Sequence, residues 1–176
     1  ANLVFHETTH GHIYVKGESN FNEAAASFIG DYGELEYLRS KHGDKSPEIK
    51  EWHERLEFQA KAGEDAKAFA LALNKLYKTI QDRPLEEQKQ IKQKKFDEYH
   101  GQYAADTRLG KFRRHFKNNA SLVAYLTYEN DRVVFEDVIK KCGGSVRDSL
   151  RYLKKFIEQY ESSSENHLEL LRRWRE

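Results

Sequence analysis

The two prolines of this 176-residue chain, Pro47 and Pro84, bracket a segment with a strict helical repeat. Apolar side chains recur there at alternating steps of three and four, the spacing that keeps residues on one face of an α-helix. The repeat consists of Ile49, Trp52, Leu56, Ala66, Ala70, Leu73, Tyr77 and Ile80, with Gln59 and Gly63 filling the gap after Leu56. A helix of this length strongly favours an all-α fold.

The flanks of this segment define its ends. Ser46, Pro47 and Glu48 form an N-cap, a first-turn proline and an acidic first turn, so a helix is predicted to begin there. The helix is predicted to end before Pro84, and a further helix is predicted from Pro84 to at least Gly110. Because the connection is so short, residues 47–110 are expected to form a long antiparallel hairpin.

The other segments also read as helices. Helices are predicted at residues 1–14, 20–42, from 118, from 130 to 142 and from 145, with a charged tail after residue 164 that can be helical. Their proposed caps are Ser19 or Asn20, Asn118 or Asn119, Asn130 and Ser145. With no convincing strand in the sequence, we expect one all-α domain. Its parts would be 1–43, the hairpin 47–110 and the C-terminal helices 111–176.

Composition narrows the range of partners. Charged residues make up 34% of the chain, yet the formal net charge is +1, so there is no field to attract nucleic acid. No apolar run approaches the length of a membrane span. The single cysteine, Cys142, excludes a disulfide within the chain. The oligomeric state is not predicted by these features.

The first ten residues contain an H-E-x-x-H motif, formed by His6, Glu7 and His10. Residues four apart share one face of a helix, so the two imidazoles can bind a single metal ion while Glu7 lies beside them. Zinc is the expected metal, because catalytic zinc sites use three protein ligands and leave the fourth position to water. This pattern is typical of metal-dependent hydrolases.

A third ligand is therefore needed, and Glu23 is the best candidate. It lies in the first turn of the predicted second helix, where Ala24, Ala25 and Ala26 would allow close packing against the first helix. Glu18 is the less favoured candidate, because it lies in the turn between the helices and is more simply a solvated charge.

The segment from His6 to Gly30, with its H-E-x-x-H, Val-x-Gly and Phe-Asn-Glu elements, resembles the bacterial family of predicted zinc aminopeptidases. A second block resembles the same family, from Asn118-Asn119-Ala120 to Gly143-Gly144. The resemblance implies a gluzincin-type peptidase with zinc on His6, His10 and Glu23. It also implies a peptide substrate, an N-terminal region that would precede residue 1, and a location in the cell envelope.

The predicted reaction is hydrolysis of a peptide bond, with Glu7 as the general base for a zinc-activated water. A donor must also stabilise the oxyanion, and Tyr128 is the first choice, with Tyr125 and His115 as alternatives. The competing hypothesis is a metal-binding or helical interaction module without catalytic activity. Because the chain begins inside the motif helix and contains no Met, we expect it to be part of a longer protein.

Overall fold

A computed structural model describes residues 1–174, apart from the side chains of Tyr128 and Asn130. This part of the chain forms eight α-helices and no strand, which confirms the predicted all-α fold. The helices are α1 (Asn2–His10), α2 (Ser19–His42), α3 (Pro47–Ile80), α4 (Leu85–Gly101), α5 (Arg108–Arg113), α6 (Asn119–Lys141), α7 (Val146–Tyr160) and α8 (His167–Trp174).

Three of the predicted helix starts are confirmed by their hydrogen bonds. The Ser46 hydroxyl accepts from the backbone N–H of Ile49 before α3, at 3.3 Å. The Ser145 hydroxyl accepts from Asp148 N–H before α7, at 3.2 Å. At α6, the Asn118 side chain accepts from the N–H of Ser121, at 3.0 Å.

The predicted cap of α2 is wrong. Ser19 is already the first residue of the helix, and Glu18 precedes it without a side-chain cap bond. The predicted end of α1 at residue 14 is also wrong, because the helix ends at His10 and Gly11 follows it as the C-cap. Residues 11–18 therefore form a linker between the two helices.

The predicted continuation of the fourth helix to Gly110 is wrong as well. The helix α4 ends at Gly101, and Thr107 caps the separate short helix α5. The Thr107 hydroxyl donates to the carbonyl of Ala104 at 2.8 Å and accepts from Gly110 N–H at 3.0 Å. This turn requires glycine at position 110, because a Cβ there would lie 2.0 Å from the Ala104 oxygen.

One helix, α6, replaces the two that were predicted between residues 118 and 142. The expected break at Asn130-Asp131 does not occur. Asp131 is buried inside the continuous helix, and its carboxylate lies 3.3 Å from the guanidinium of Arg172 on α8. The acidic side chain that suggested a helix start pairs with a distant arginine instead.

Contacts within the chain divide it into two compact units. The first unit comprises Ala1–Glu54 and the chain from Tyr128 onward, and the second comprises Arg55–Thr127. The expected organisation as a single domain stays a prediction. Across the described helices, none is long and apolar enough to cross a membrane.

The core of the first unit is built around Phe21 of α2, which is fully buried. Its ring lies 5.6 Å from that of Phe135 on α6 and 6.1 Å from that of Phe156 on α7, measured between centroids. Aromatic pairs at this separation stabilise beyond the burial of their area. The start of α2 is thus packed against the C-terminal helices.

In the second unit, α3 and α4 pack against each other through stacked aromatic rings. The ring of Phe69 is parallel to that of Tyr99, with an interplanar angle of 2° and centroids 3.8 Å apart. The Tyr99 hydroxyl donates to Asp65 at 2.6 Å. Gln88, early in α4, donates to the carbonyl of Gln81 just after the end of α3, whereas Tyr99, late in α4, contacts residues farther back in α3. The pair is therefore antiparallel, as the hairpin prediction required.

Candidate metal centre

The helix α1 lies directly against α2 because α2 presents small residues to it. A Cβ added to Gly30 would lie 3.4 Å from the Cβ of His6, and one added to Gly33 would lie 2.6 Å from Cγ of Phe5. Glu23, Ala26, Gly30 and Gly33 are separated by steps of three and four, so they share one face of α2. The face that receives α1 therefore also carries Glu23.

The packing of the two helices brings three candidate ligands together: His6, His10 and Glu23. The two Nε2 atoms of the histidines are 3.3 Å apart. Each lies 3.6 Å from a carboxylate oxygen of Glu23, Oε2 for His6 and Oε1 for His10. Among the described residues, this is the group of three whose ligand atoms could hold one metal ion.

These distances suit a tetrahedral ion. Ligand atoms about 2.0 to 2.1 Å from zinc, at tetrahedral angles, are about 3.3 Å from one another. The measured separations of 3.3 and 3.6 Å match this spacing within a few tenths of an ångström. Two imidazoles and one carboxylate form a donor set that zinc accepts, so the residues fit the metal that the sequence predicts.

The candidate centre lies at the surface of the first unit. The side chains of His6 and His10 are 20% and 28% exposed, and that of Glu23 is 48% exposed. The rings of the two histidines meet edge to face, with centroids 5.0 Å apart. A metal at this position would be open to solvent on one side, as a site that binds water and substrate requires.

Glu7 lies on α1 between the two histidines in sequence, and its side chain is exposed. One residue after His6 and three before His10, it extends from the helix on the flank of the histidine face. Its carboxylate is free of the packing between α1 and α2, so it is available to solvent and to a bound substrate. Its predicted role as a general base stays a prediction.

Glu18, the less favoured candidate ligand, is engaged elsewhere. Its carboxylate accepts a hydrogen bond from the side-chain amide of Asn166 at 3.0 Å and one from the backbone N–H of His167 at 3.4 Å. It thereby connects the linker before α2 to the start of α8. The structure brings Glu23, and not Glu18, to the two histidines.

Two supporting contacts were not anticipated from the sequence. The side-chain amide of Asn2 donates to the carboxylate of Asp31 at 2.8 Å, which attaches the first turn of α1 to α2. Asn22, next to Glu23, is buried and bonds to both backbone groups of Val15. Neither contact has a sequence signal, because each depends on where a distant residue lies in the folded chain.

The predicted oxyanion donor, Tyr128, has its side chain outside the described residues. Its two alternatives belong to the second unit. Tyr125 packs there between the rings of Phe112 and Phe116, and the Nδ1 atom of His115 lies 2.9 Å from the carbonyl oxygen of Lys111. The assignment of an oxyanion donor stays a prediction.

Comparison with known proteins gives one family. The family described as "Putative aminopeptidase" matches residues 1–168 of the chain, which include all of the candidate centre. Searches among curated proteins and among solved structures give no significant match.

Proposed function

Since the chain belongs to the putative aminopeptidase family, we propose that it is a zinc-dependent peptidase, with His6, His10 and Glu23 as the metal ligands. One observation carries the proposal: the Nε2 atoms of His6 and His10 lie 3.3 Å apart, and each lies 3.6 Å from an oxygen of the Glu23 carboxylate, close to the spacing of ligands around one tetrahedral ion.

When bound, zinc supplies a Lewis acid that lowers the pKa of a water molecule and polarises a carbonyl group. The chain supplies the rest. Glu7 accepts the proton of the attacking water at its carboxylate and later donates it to the leaving amine. His6 and His10, together with Glu23, would hold the metal next to the helix that carries Glu7. The substrate is a peptide, and Tyr128 is proposed to donate a hydrogen bond to the oxyanion.

The proposal is tested by zinc content and peptide hydrolysis of the full-length protein and of its Glu7→Gln variant. We expect this variant to retain zinc and to lose activity by a factor of roughly 100 or more, because a positioned acid–base group contributes at least that much. Full activity in Glu7→Gln would overturn the assigned mechanism. Because Glu7 is exposed on α1, the substitution should leave the fold intact.

The site itself is tested by the double variant His6→Ala, His10→Ala. It should lose zinc, since only Glu23 of the proposed ligand set remains. Zinc retained undiminished would show that the metal binds elsewhere. If the wild-type protein binds zinc stoichiometrically but cleaves no peptide in a broad library, the alternative of a non-catalytic metal-binding module is favoured.

A further inference from the structure

The linker between the two ligand helices is held in place at several points. It joins His10, at the end of α1, to α2, whose fifth residue is Glu23. Ile13 and Val15 point into the core and are 1% and 8% exposed. A turn follows, closed by a hydrogen bond from Glu18 N–H to the Val15 carbonyl at 3.2 Å, with Gly17 at φ 84°.

Asn22 holds this linker through both ends of its side-chain amide. Its Oδ1 accepts from the backbone N–H of Val15, and its Nδ2 donates to the Val15 carbonyl, each at 2.8 Å. The asparagine is 5% exposed, so water does not readily replace either bond. Buried backbone groups that lose such a partner are costly, which makes the double contact a strong constraint on Val15.

The side chain of Asn22 has no role in forming α2 itself. Its own backbone N–H bonds to the carbonyl of Glu18 at 3.0 Å, within the ordinary helical ladder. Asparagine is also among the weaker helix formers, so helix formation alone would favour another residue at this position. Of the residues of this size, only asparagine offers a donor and an acceptor in one plane, so its side chain can bond at once to the N–H and to the C=O of one residue.

We propose that Asn22 is a positioning residue of the metal centre, which fixes the linker and so sets the distance between His10 and Glu23 before metal binds. The inference rests on the proposed function, because it assumes that these residues are ligands. Asn22 precedes Glu23 directly in α2, and the residue that it holds lies five positions after His10. Releasing Val15 loosens the only covalent path between the two ligands. Metal binding must then order that path, which costs free energy, so the affinity of the protein for zinc falls.

The test is a competition titration of zinc against a chromophoric chelator, with wild-type protein and the Asn22→Ala variant. We expect the zinc Kd of this variant to rise by about tenfold or more, the size of effect seen when groups that orient metal ligands are removed. The absorption bands of the cobalt(II)-loaded protein should also shift or weaken. Those bands report the ligand arrangement directly, and a purely structural role for Asn22 would leave them unchanged.

Two controls separate positioning from general loss of stability. Leu153 is fully buried in the same core, on α7. Leu153→Ala should destabilise the protein while leaving the zinc Kd and the cobalt spectrum close to those of wild type. The second control, Asn20→Asp, places a charge on the exposed side chain two residues before Asn22. It should likewise have little effect on either readout.

Asn22→Asp is the second test variant, needed if Asn22→Ala does not fold. It keeps the acceptor for Val15 N–H but cannot donate to the Val15 carbonyl, so its Kd should exceed that of Asn20→Asp, which carries the same added charge. Equal affinities for these two aspartate variants would overturn the positioning role. So would an unchanged Kd and spectrum in folded Asn22→Ala. A wild-type protein that binds no zinc would instead contradict the proposed function, and the two failures are therefore distinguishable.

Discussion

The ring of Phe5 lies against the bare backbone of Gly33, so closely that a Cβ at position 33 would be 2.6 Å from the ring atom Cγ. Real Cβ atoms do not approach other atoms this closely, and Cγ is the fixed root of the ring rather than a movable end. Phe5 directly precedes His6 in α1. The contact therefore sets how near the ligand helix comes to α2.

Gly33→Ala is predicted to destabilise the first unit despite its better helix propensity. Alanine in a helix interior gains about 1 kcal/mol over glycine. The clash with Phe5 forces α1 outward, and overpacking of this kind costs typically 1 to 3 kcal/mol. We expect net destabilisation in urea unfolding of the zinc-free protein. Tryptophan fluorescence is the suitable signal, because Trp52 and Trp174 both belong to the first unit.

Gly101→Ala is the control for this prediction, and its unfolding is followed by far-UV circular dichroism because Gly101 belongs to the second unit. Gly101 is the last residue of α4, and a Cβ there would have no atom within 4 Å. Its φ is not positive, so alanine can adopt the same backbone conformation. Because alanine reduces the conformational entropy of the unfolded chain, it should raise the free energy of unfolding by about 0.4 to 1 kcal/mol. If both substitutions stabilise the protein, the close approach of Phe5 to Gly33 is contradicted.

Asp65→Ala is predicted to destabilise the second unit more than any surface substitution. The guanidinium of Arg113 is 6% exposed and pairs with Asp65 through two of its nitrogens. Removing the carboxylate leaves a buried cation without its counter-charge, which costs roughly 3 to 5 kcal/mol. Tyr99→Phe removes only one donor to Asp65 and should cost about 1 kcal/mol. Urea unfolding followed by far-UV circular dichroism measures both.

A surface ion pair on α4 provides the comparison. Lys95 and Glu98 are 3.1 Å apart, with side chains 39% and 48% exposed. Lys95→Ala should change the stability by less than about 1 kcal/mol, since exposed pairs contribute little. An Asp65→Ala effect no larger than this would mean that Arg113 finds another partner or reaches solvent.

The stability of the first unit should depend on pH through Asp131. Burial raises the pKa of this carboxyl above its ordinary value of 3.8, and the nearby Arg172 opposes the shift without cancelling it. Because the folded pKa is the higher one, protonation favours the folded state. The stabilisation that comes from protonating Asp131 is fully present below about pH 3.8, and it is lost as the pH rises through the pKa of this carboxyl in the folded state.

Asp131→Asn isolates this contribution. The free energy of unfolding of wild type, minus that of the variant, should increase as the pH falls from neutral through the raised pKa of Asp131 toward its ordinary value of 3.8. Urea unfolding at a series of pH values measures the difference. A decrease toward acid pH would mean that the pairing with Arg172 outweighs burial, so that the pKa is in fact lowered.

The sequence was most informative where a local rule decides the structure. Alternating steps of three and four predicted α3, and the last apolar position of the repeat, Ile80, is its last residue. Ser46 and Ser145 marked helix starts through hydrogen bonds to residues three positions later. The placement of His6 and His10 on one face of α1 follows from the helical repeat alone. Such features depend on a few neighbouring residues, and at these positions the tertiary contacts do not change the local structure.

Elsewhere, contacts between distant residues decided the outcome. Asp131 resembled a helix start, but its partner is Arg172, 41 positions away. The meeting of Glu23 with the histidines depends on how closely two helices pack, which sequence spacing alone does not determine. Asn22 was missed for a similar reason. Its partner, Val15, can be recognised only once the path of the linker is known.

The packing of Phe21 connects the first residues of the chain to the last. This ring is two positions before Glu23 in α2, and it lies against Phe135 and Phe156 from helices far along the sequence. Under the proposed function, the metal ligands come from the first 23 residues, while the surface that supports Glu23 comes from the C-terminal helices. Bound zinc would then report whether the first unit is folded: a substitution in the C-terminal helices that unfolds this unit, rather than merely destabilising it, should release the metal held near the start of the chain.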